Sequence, residues 1–269
     1  MGYTEVRSMK HYALLGEKLG HSLSVPIHQG IFRHLGIEAD YRLIEIPRAE
    51  FPATARQLMQ ELDGFNVTIP YKQEIIPLLD EVDPGASAIG AVNTVVMDGS
   101  THGHNTDIIG FTSMLRHWGI DPAGQPCYVL GGGGTSHTAC AALKRMGAQS
   151  VTVVSRRPGQ GQIDYGQFAC EFSGVLVNTT PAGMLYQPDP CPIDPAILPQ
   201  VLSRATGVAD VIYNPPETML TAAAKAAGIP ACTGLYMLID QAVAAEALWQ
   251  NHPMPKGLTQ TLMEELKLL

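Results

Sequence analysis

The sequence predicts an α/β protein built in two parts, and three features of the chain point that way. Short apolar segments alternate with runs of helical period along most of the 269 residues. One junction holds four consecutive glycines, Gly131 to Gly134, between an apolar strand and an alanine-rich helix. A Gly-, Pro- and Asp-rich linker, Gly119 to Pro126, sets that junction apart from the N-terminal part of the chain. A chain of this length buries a real core as one large or two modest domains.

Taken in order, Tyr12 to Leu15 reads as a strand ending at Gly16. Ser24 reads as an N-cap, with Pro26 in the first turn, for a helix that Gly36 stops after Leu35. Tyr41 to Ile46 alternates as a strand, and Phe51 to Leu62 repeats at helical spacing. Phe65 to Ile69 is a strand broken by Pro70, with a helix expected from Tyr71 to Leu79. Ala91 to Met97 and Thr101 to Asn105 flank Asp98-Gly99, a hairpin signal. Thr106-Asp107 caps a helix to about Trp118. Beyond the linker, Val151 to Val154, Val175 to Val177 and Val208 to Ile212 read as parallel strands apolar on both faces. The segment between Ser155 and Val175 has room only for a short helix near Gln167 to Phe172. Tyr236 to Trp249 and Leu258 to Leu268 read as helices, and spacing leaves open what they pack on.

The glycine junction carries the first chemical reading. Strand, glycine turn, helix is the opening unit of a Rossmann-type dinucleotide-binding domain. Glycine lets backbone approach a pyrophosphate, and the helix N-terminus aims unpaired N–H groups at it. Ser136 stands at the third fingerprint position in place of glycine. The end of the second strand holds Ser155, Arg156 and Arg157, where an NAD-binding fold usually carries a carboxylate for the ribose hydroxyls. A guanidinium offers a 2′-phosphate a planar fork of donors, so NADP is favoured over NAD.

Composition excludes other classes. With 45% hydrophobic and 16% charged residues the composition is that of an ordinary globular protein, and a net charge of −8 with nine histidines argues against nucleic-acid binding. The five cysteines are odd in number and lack CxxC spacing, as expected of reduced residues in a cytoplasmic protein. Glu5, Arg7 and Lys10 open the chain without a secretory apolar core, and no run is long enough to span a bilayer. His102 and His104 share a strand face, but no third metal ligand accompanies them and no metal is expected.

Eight motifs together resemble the shikimate dehydrogenase family. They are HSLS at His21 to Ser24, NVTIPYK at Asn66 to Lys72, GAVNT at Gly90 to Thr94, NTD at Asn105 to Asp107, the glycine turn, NTTPAGM at Asn178 to Met184, DVIYNP at Asp210 to Pro215, and GLYMLIDQA at Gly234 to Ala242. The resemblance spans nearly the whole chain. It implies a substrate domain over residues 1–107, a Rossmann domain over 108–235, and C-terminal helices over 236–269 that return to the first domain. It implies reversible NADPH-dependent reduction of 3-dehydroshikimate to shikimate in aromatic amino-acid biosynthesis, by a monomer or homodimer with small-molecule partners only. Ser22 and Ser24 match residues that hold the substrate carboxylate. Thr68, Asn93, Asp107 and Gln241 match groups on the ring hydroxyls or carbonyl, Tyr213 matches a position near the substrate, and Lys72 and Asp107 match the catalytic pair. Gly131, Gly133, Gly134, Thr135, Ser136, Ser155, Arg156, Arg157, Thr179, Gly234 and Met237 fall at cofactor positions. Asn66 reads as a structural turn residue.

The residues support that chemistry on their own terms. Ketone reduction needs a proton for the developing alkoxide, and a lysine at a strand-to-helix junction can supply it, especially beside a carboxylate. Read without the resemblance, Lys72 is a solvated first-turn lysine and Asp107 a helix cap; the resemblance puts the catalytic role ahead. The chain departs from the family at Val25, which precedes Pro26, at Ile108, where glycine is usual, and at Ser155-Arg156-Arg157, where Asn-Arg-Thr is usual and the next helix is mostly missing. A quinate/shikimate dehydrogenase of broader scope and a non-catalytic NADP-binding relative are the alternatives. Arg156 and the serine pair argue against the first, and retained Lys72 and Asp107 against the second.

Overall fold

The computed structural model describes residues 9–20 and 22–266. Glu5, Arg7, His21 and Leu268 lie outside the described residues. The chain divides into two compact units: one takes the residues up to Thr106 together with Ala242 onward, the other Asp107–Gln241.

The first unit opens with β1 (Lys10–Gly16), α1 (Ser24–Leu35), β2 (Ala39–Glu45), α2 (Phe51–Leu58) and β3 (Gly64–Val67). It continues through β4 (Glu81–Val82), α3 (Pro84–Ile89), β5 (Thr94–Met97) and β6 (Thr101–His104). The six strands form one sheet in the order β2-β1-β3-β5-β6-β4. β1 lies parallel to β2 and β3, and β5 runs antiparallel to both β3 and β6. The hairpin forms at Asp98-Gly99, with Met97 opposite Thr101 and Gly99 at φ +98°. One face buries Phe65, Ile75, Val92 and the stacked rings of Phe51 and Tyr71, 3.9 Å apart.

The second unit runs α4 (Asp107–His117), β7 (Pro126–Leu130), α5 (Gly134–Arg145), β8 (Ser150–Val154), β9 (Gln162–Ile163), α6 (Tyr165–Glu171) and β10 (Gly174–Asn178). It then adds α7 (Leu198–Leu202), β11 (Ala205–Asp210), α8 (Met219–Ala226) and β12 (Ala231–Cys232). Its strands are all parallel in the order β12-β11-β10-β7-β8-β9. Counted from β7 this is the 3-2-1-4-5-6 arrangement of a dinucleotide-binding sheet, and the order reverses between β7 and β10. Two last helices complete the chain, α9 (Leu235–Trp249) and α10 (Leu258–Leu266). The boundary between units falls inside α9. In the first unit Gly30 of α1 lies under Leu262 of α10, where a Cβ would meet Cδ2 at 2.7 Å.

Several sequence expectations need correction. No α-helix forms from Tyr71 to Leu79; the segment is a series of turns ending in a 3₁₀ turn at Ile76–Leu78. Pro77 has no N–H to donate to Gln73, so the helical ladder cannot propagate. Ser24 is the first residue of α1; Leu23 holds the cap position, and no side chain caps the helix. α2 stops at Leu58, and turns carry the chain to Leu62. The strand expected from Ala91 begins only at Thr94, and α6 begins two residues before the expected Gln167. Neither α3 nor α8 is expected from spacing, although both carry local signals. Asp83 caps α3 through the Gly85 and Ala86 N–H groups, with Pro84 in the first turn. Thr218 and Thr221 close a reciprocal capping box on α8.

Candidate functional site

In the first unit, most of the predicted substrate residues gather at one edge of the sheet, where β1 and β3 end. Gly16 closes β1 against the loop after β3: a Cβ there would stand 2.7 Å from Thr68 Cγ2. Thr68 N donates to Leu15 O, and Tyr71 N donates to Thr68 O, which fixes the turn leading to Lys72. Val92 N donates to Lys72 O at 2.8 Å, so the lysine backbone is tied to the segment that carries Asn93. Asn93 is buried; its Nδ2 donates to Thr106 Oγ1 at 3.0 Å and its Oδ1 accepts from Thr106 N at 2.7 Å. Ser22 Oγ donates to Ser24 Oγ at 3.0 Å, and Ser22 N donates to Leu19 O. Asn66 is indeed bound up in structure, donating to Asn93 O and Thr94 Oγ1 while accepting from Tyr41 Oη.

In the second unit, Asp107 is the first residue of α4. One turn later stands Gly110, where a Cβ would meet Met237 O at 2.4 Å and Gln241 N at 3.1 Å. The absent side chain lets α9 close on α4, and His117 stacks on Tyr236 further along the same contact at 4.3 Å. The fold thus sets Gln241 beside the helix that Asp107 opens. Gly110 was missed from sequence; a glycine within a helix at a cost of about 1 kcal/mol was the available signal. Tyr213 is half-buried, and burial raises its phenol above the ordinary tyrosine range.

The nucleotide side is a cleft of about 670 Å³ at the sheet's switch point. It brings together Gly131, Gly133, Ser155, Arg156, Arg157 and Thr179 of the predicted set, and adds Gly132, Val154, Tyr165, Thr180 and Pro181. Gly131 has φ +102°, and a Cβ there would lie 3.0 Å from Thr179 Oγ1. Thr179 Oγ1 donates to Leu130 O, joining the ends of β7 and β10. Around Gly133 and Gly134 nothing stands within 4 Å of where a Cβ would sit, which leaves room for a phosphate at the start of α5. Ser155 receives the Arg157 N–H on its hydroxyl, and both arginines are exposed at the mouth. The donor set suits a dinucleotide carrying an extra phosphate.

Five predicted cofactor residues do not line this cleft. Gly134 and Thr135 open α5. Ser136 is buried and donates to Gly133 O at 2.6 Å, so its hydroxyl braces the turn. Gly234 lies against the backbone of Val211, where a Cβ would meet the carbonyl oxygen at 2.0 Å. Met237 is buried on α9, its carbonyl against Gly110. Beneath the cleft, Asp210 is buried and accepts from Asn178 Nδ2, Ile212 N and Thr218 Oγ1; burial pushes its carboxyl up to about 6.

His102 pairs with Asp98 at 3.0 Å and Glu81 at 3.4 Å, a surface arrangement on the hairpin. Among the described residues no group of three or more His, Cys, Asp or Glu side chains could hold a metal ion. No described helix is long and apolar enough to cross a membrane.

A parallel sheet in dinucleotide-binding order, with a glycine turn and two arginines at its switch point, defines a dinucleotide-binding class of protein. Comparison with known proteins narrows this. The pattern of the shikimate dehydrogenase substrate binding domain matches residues 14–95. Shikimate dehydrogenase (NADP(+)) from Clostridium perfringens is 35% identical over 96% of this chain and 99% of its own. The structure of a chorismate mutase/shikimate 5-dehydrogenase fusion protein from Clostridium acetobutylicum superposes with a TM-score of 0.91 at 35% identity, covering 97% of this chain and 98% of that one. Shikimate 5-dehydrogenase from Thermus thermophilus, solved with NADP(H) and shikimate, gives 0.82 at 32% identity over 95% and 99%. The chain belongs to the shikimate dehydrogenase family.

Proposed function

We propose that this chain catalyses the reversible NADPH-dependent reduction of 3-dehydroshikimate to shikimate, a step of aromatic amino-acid biosynthesis. The observation that carries this reading is that one chain holds both an arginine-rimmed dinucleotide cleft and a separate sheet edge of hydroxyl and amide groups around Lys72. Full-length relatives bearing that activity in their names support it, as does the NADP(H) and shikimate complex of the Thermus thermophilus protein.

In this reading Ser22 and Ser24 receive the substrate carboxylate, while Thr68, Asn93, Asp107 and Gln241 hold the ring oxygens, with Tyr213 nearby. The bound NADPH supplies the hydride. Lys72 gives a proton to the oxygen that becomes the alcohol, and Asp107 completes the catalytic pair; in the oxidative direction Lys72 takes that proton back. Gly131, Gly133, Gly134, Thr135 and Ser136 frame the pyrophosphate, and Ser155, Arg156 and Arg157 receive the 2′-phosphate. Thr179, Gly234 and Met237 complete the cofactor set. Residues 1–107 and 236–269 serve the substrate and 108–235 the cofactor. Five free cysteines and NADPH chemistry support a cytoplasmic location, and the chain acts as a monomer or homodimer.

The test follows NADPH and NADH absorbance with 3-dehydroshikimate and then 3-dehydroquinate, for the wild type and Lys72→Ala. The wild type should use NADPH with 3-dehydroshikimate, and the variant should lose on the order of 10²–10⁴ in kcat. Equal use of 3-dehydroquinate, or undiminished turnover in the variant, overturns the reading.

A further inference from the structure

One wall of the nucleotide cleft has no hydrogen to donate. That wall follows β10 and consists of Thr179, Thr180 and Pro181. Thr179 commits both its donors to Leu130 O, the backbone N–H at 2.9 Å and the hydroxyl at 2.7 Å. Thr180 commits both of its own to Asn178 Oδ1, at 3.0 and 2.7 Å. Pro181 has no N–H. Acceptors are left over instead: among the described residues no donor reaches the carbonyl oxygens of Thr179 and Thr180.

Two buried side chains set this polarity. Asn178 is fully buried, and its Nδ2 donates to Asp210 Oδ1 at 3.0 Å and to Ala182 O at 3.3 Å. Asp210 Oδ1 also takes the Ile212 N–H at 3.1 Å, so it faces Asn178 as an acceptor. The Thr180 N–H can only donate. The Asn178 amide therefore cannot turn over without setting donor against donor and oxygen against oxygen. With Asn178 Oδ1 held towards Thr180, the hydroxyl there must point its hydrogen inward, and its oxygen accepts the Ala182 N–H at 3.3 Å. The second oxygen of Asp210 has a separate partner, Thr218 Oγ1 at 2.9 Å, at the cap of α8.

We infer that Asp210, acting through Asn178, holds this wall with its donors turned inward, so that the wall receives hydroxyl and amino hydrogens of the coenzyme's nucleoside parts and not its phosphates. The inference rests on the assignment of the cleft to NADP. Phosphate oxygens act as acceptors, and on this wall they would meet only acceptors. Elsewhere in the cleft the start of α5 and the two guanidinium groups supply donors, which suit phosphate. A dinucleotide satisfies both parts of the lining, since its ribose hydroxyls and amino groups carry hydrogens and its phosphates do not. Asp210 and Asn178 touch neither substrate nor coenzyme in this role; they are positioning residues that act through Thr180.

The test follows NADPH fluorescence as the coenzyme is displaced by NADP, adenosine 2′,5′-bisphosphate, nicotinamide mononucleotide or inorganic pyrophosphate. Asp210→Ala removes the acceptor that holds Asn178 and should weaken NADP binding about tenfold, the loss expected for one hydrogen bond. Asp210→Asn keeps a carbonyl oxygen for Asn178 Nδ2 and the Ile212 N–H, and should stay within about twofold of the wild type. The weakening should fall on the bisphosphate or on the mononucleotide, which tells the adenosine half from the nicotinamide half as the source of the hydrogens. Pyrophosphate should change less than about twofold. Equal loss in both Asp210 variants, an equal loss of pyrophosphate, or wild-type affinity in Asp210→Ala overturns the inference. Should Asp210→Ala fold poorly, half-buried Thr180 gives the same answer from the wall itself. Thr180→Val strips the Ala182 N–H of its acceptor and so places a donor in the wall. NADP should then bind about tenfold more weakly and pyrophosphate no more weakly, with Thr180→Ser close to the wild type. Wild-type affinity for NADP in Thr180→Val, or a loss of pyrophosphate there, counts against the inference. A wild type that binds no NADPH instead removes the cofactor reading, and this inference with it.

Discussion

The indole Nε1 of Trp249 donates to the carbonyl oxygen of Val95 at 2.9 Å, pinning α9 to the middle of the first sheet. Gly64 on the neighbouring strand makes room for the ring, since a Cβ there would meet Nε1 at 2.5 Å. Trp249 also stacks on Tyr12 at 4.5 Å. Trp249→Phe leaves Val95 O without this donor and should cost about 1–3 kcal/mol in urea unfolding. Gly64→Ala overfills the same contact, for a similar loss of about 1–3 kcal/mol. If both variants unfold at the wild-type midpoint, the contact contributes nothing to stability.

Gly110 is the corresponding close approach in the second unit. Because its neighbour is the backbone of Met237, a new methyl group cannot be absorbed by a rotamer change. Gly110→Ala should push α9 away from α4 and displace Gln241. The expected result is a fall in kcat/KM for shikimate of about tenfold to a hundredfold, the range for an ångström-scale misplacement of a binding group. Steady-state kinetics on folded variant protein decides it; wild-type kcat/KM would show that α9 adjusts without consequence.

The two arginines at the cleft mouth predict coenzyme preference. Arg156→Ala and Arg157→Ala should each raise the KM for NADPH by about tenfold or more, through loss of a charge-assisted contact, and leave the KM for NADH nearly unchanged. Parallel changes in both coenzymes would assign the arginines a role other than 2′-phosphate binding.

Asp210 predicts a pH effect on stability. Its carboxyl titrates near 6 in the folded protein against 3.8 in the unfolded chain, because burial disfavours the charge. Between those values the native state holds more protons than the unfolded state. Stability from this group is therefore full below about pH 4 and is lost as pH rises through about 6. The component amounts to on the order of 2–3 kcal/mol. Urea unfolding of wild type and Asp210→Asn at pH 4 and pH 7 should show the wild type losing more of its stability over that interval. Identical slopes would place the titration elsewhere.

Much of the molecule was legible in the chain because local chemistry and tertiary demand agree there. Gly36, Asp98-Gly99 and the glycine turn sit where backbone geometry requires glycine, and each marks a boundary seen in the structure. Pro77 carried the signal against the helix expected from Tyr71 to Leu79, since it lacks the N–H that helix needs. What could not be read was partnership across distance. Nothing near Tyr41 announces His28 on one helix and Asn66 on another strand, since the stack and the hydrogen bond exist only once three elements meet. The same holds for Gly110, whose reason lies more than a hundred residues later in the sequence, at Met237.

The short connection between β8 and β9 has a bearing on how coenzyme preference is inherited. Val153 pairs with Gln162 and Val154 with Ile163, so residues 155–161 leave and re-enter the sheet at adjacent positions. The segment is closed on itself by Ser155 N donating to Ile163 O and Gly159 N donating to Gln162 Oε1. Both arginines lie inside it. With both arginines on the 2′-phosphate, as proposed above, selectivity between the two coenzymes would sit in a self-contained cassette, exchangeable as one piece without changing the pairing of β8 with β9.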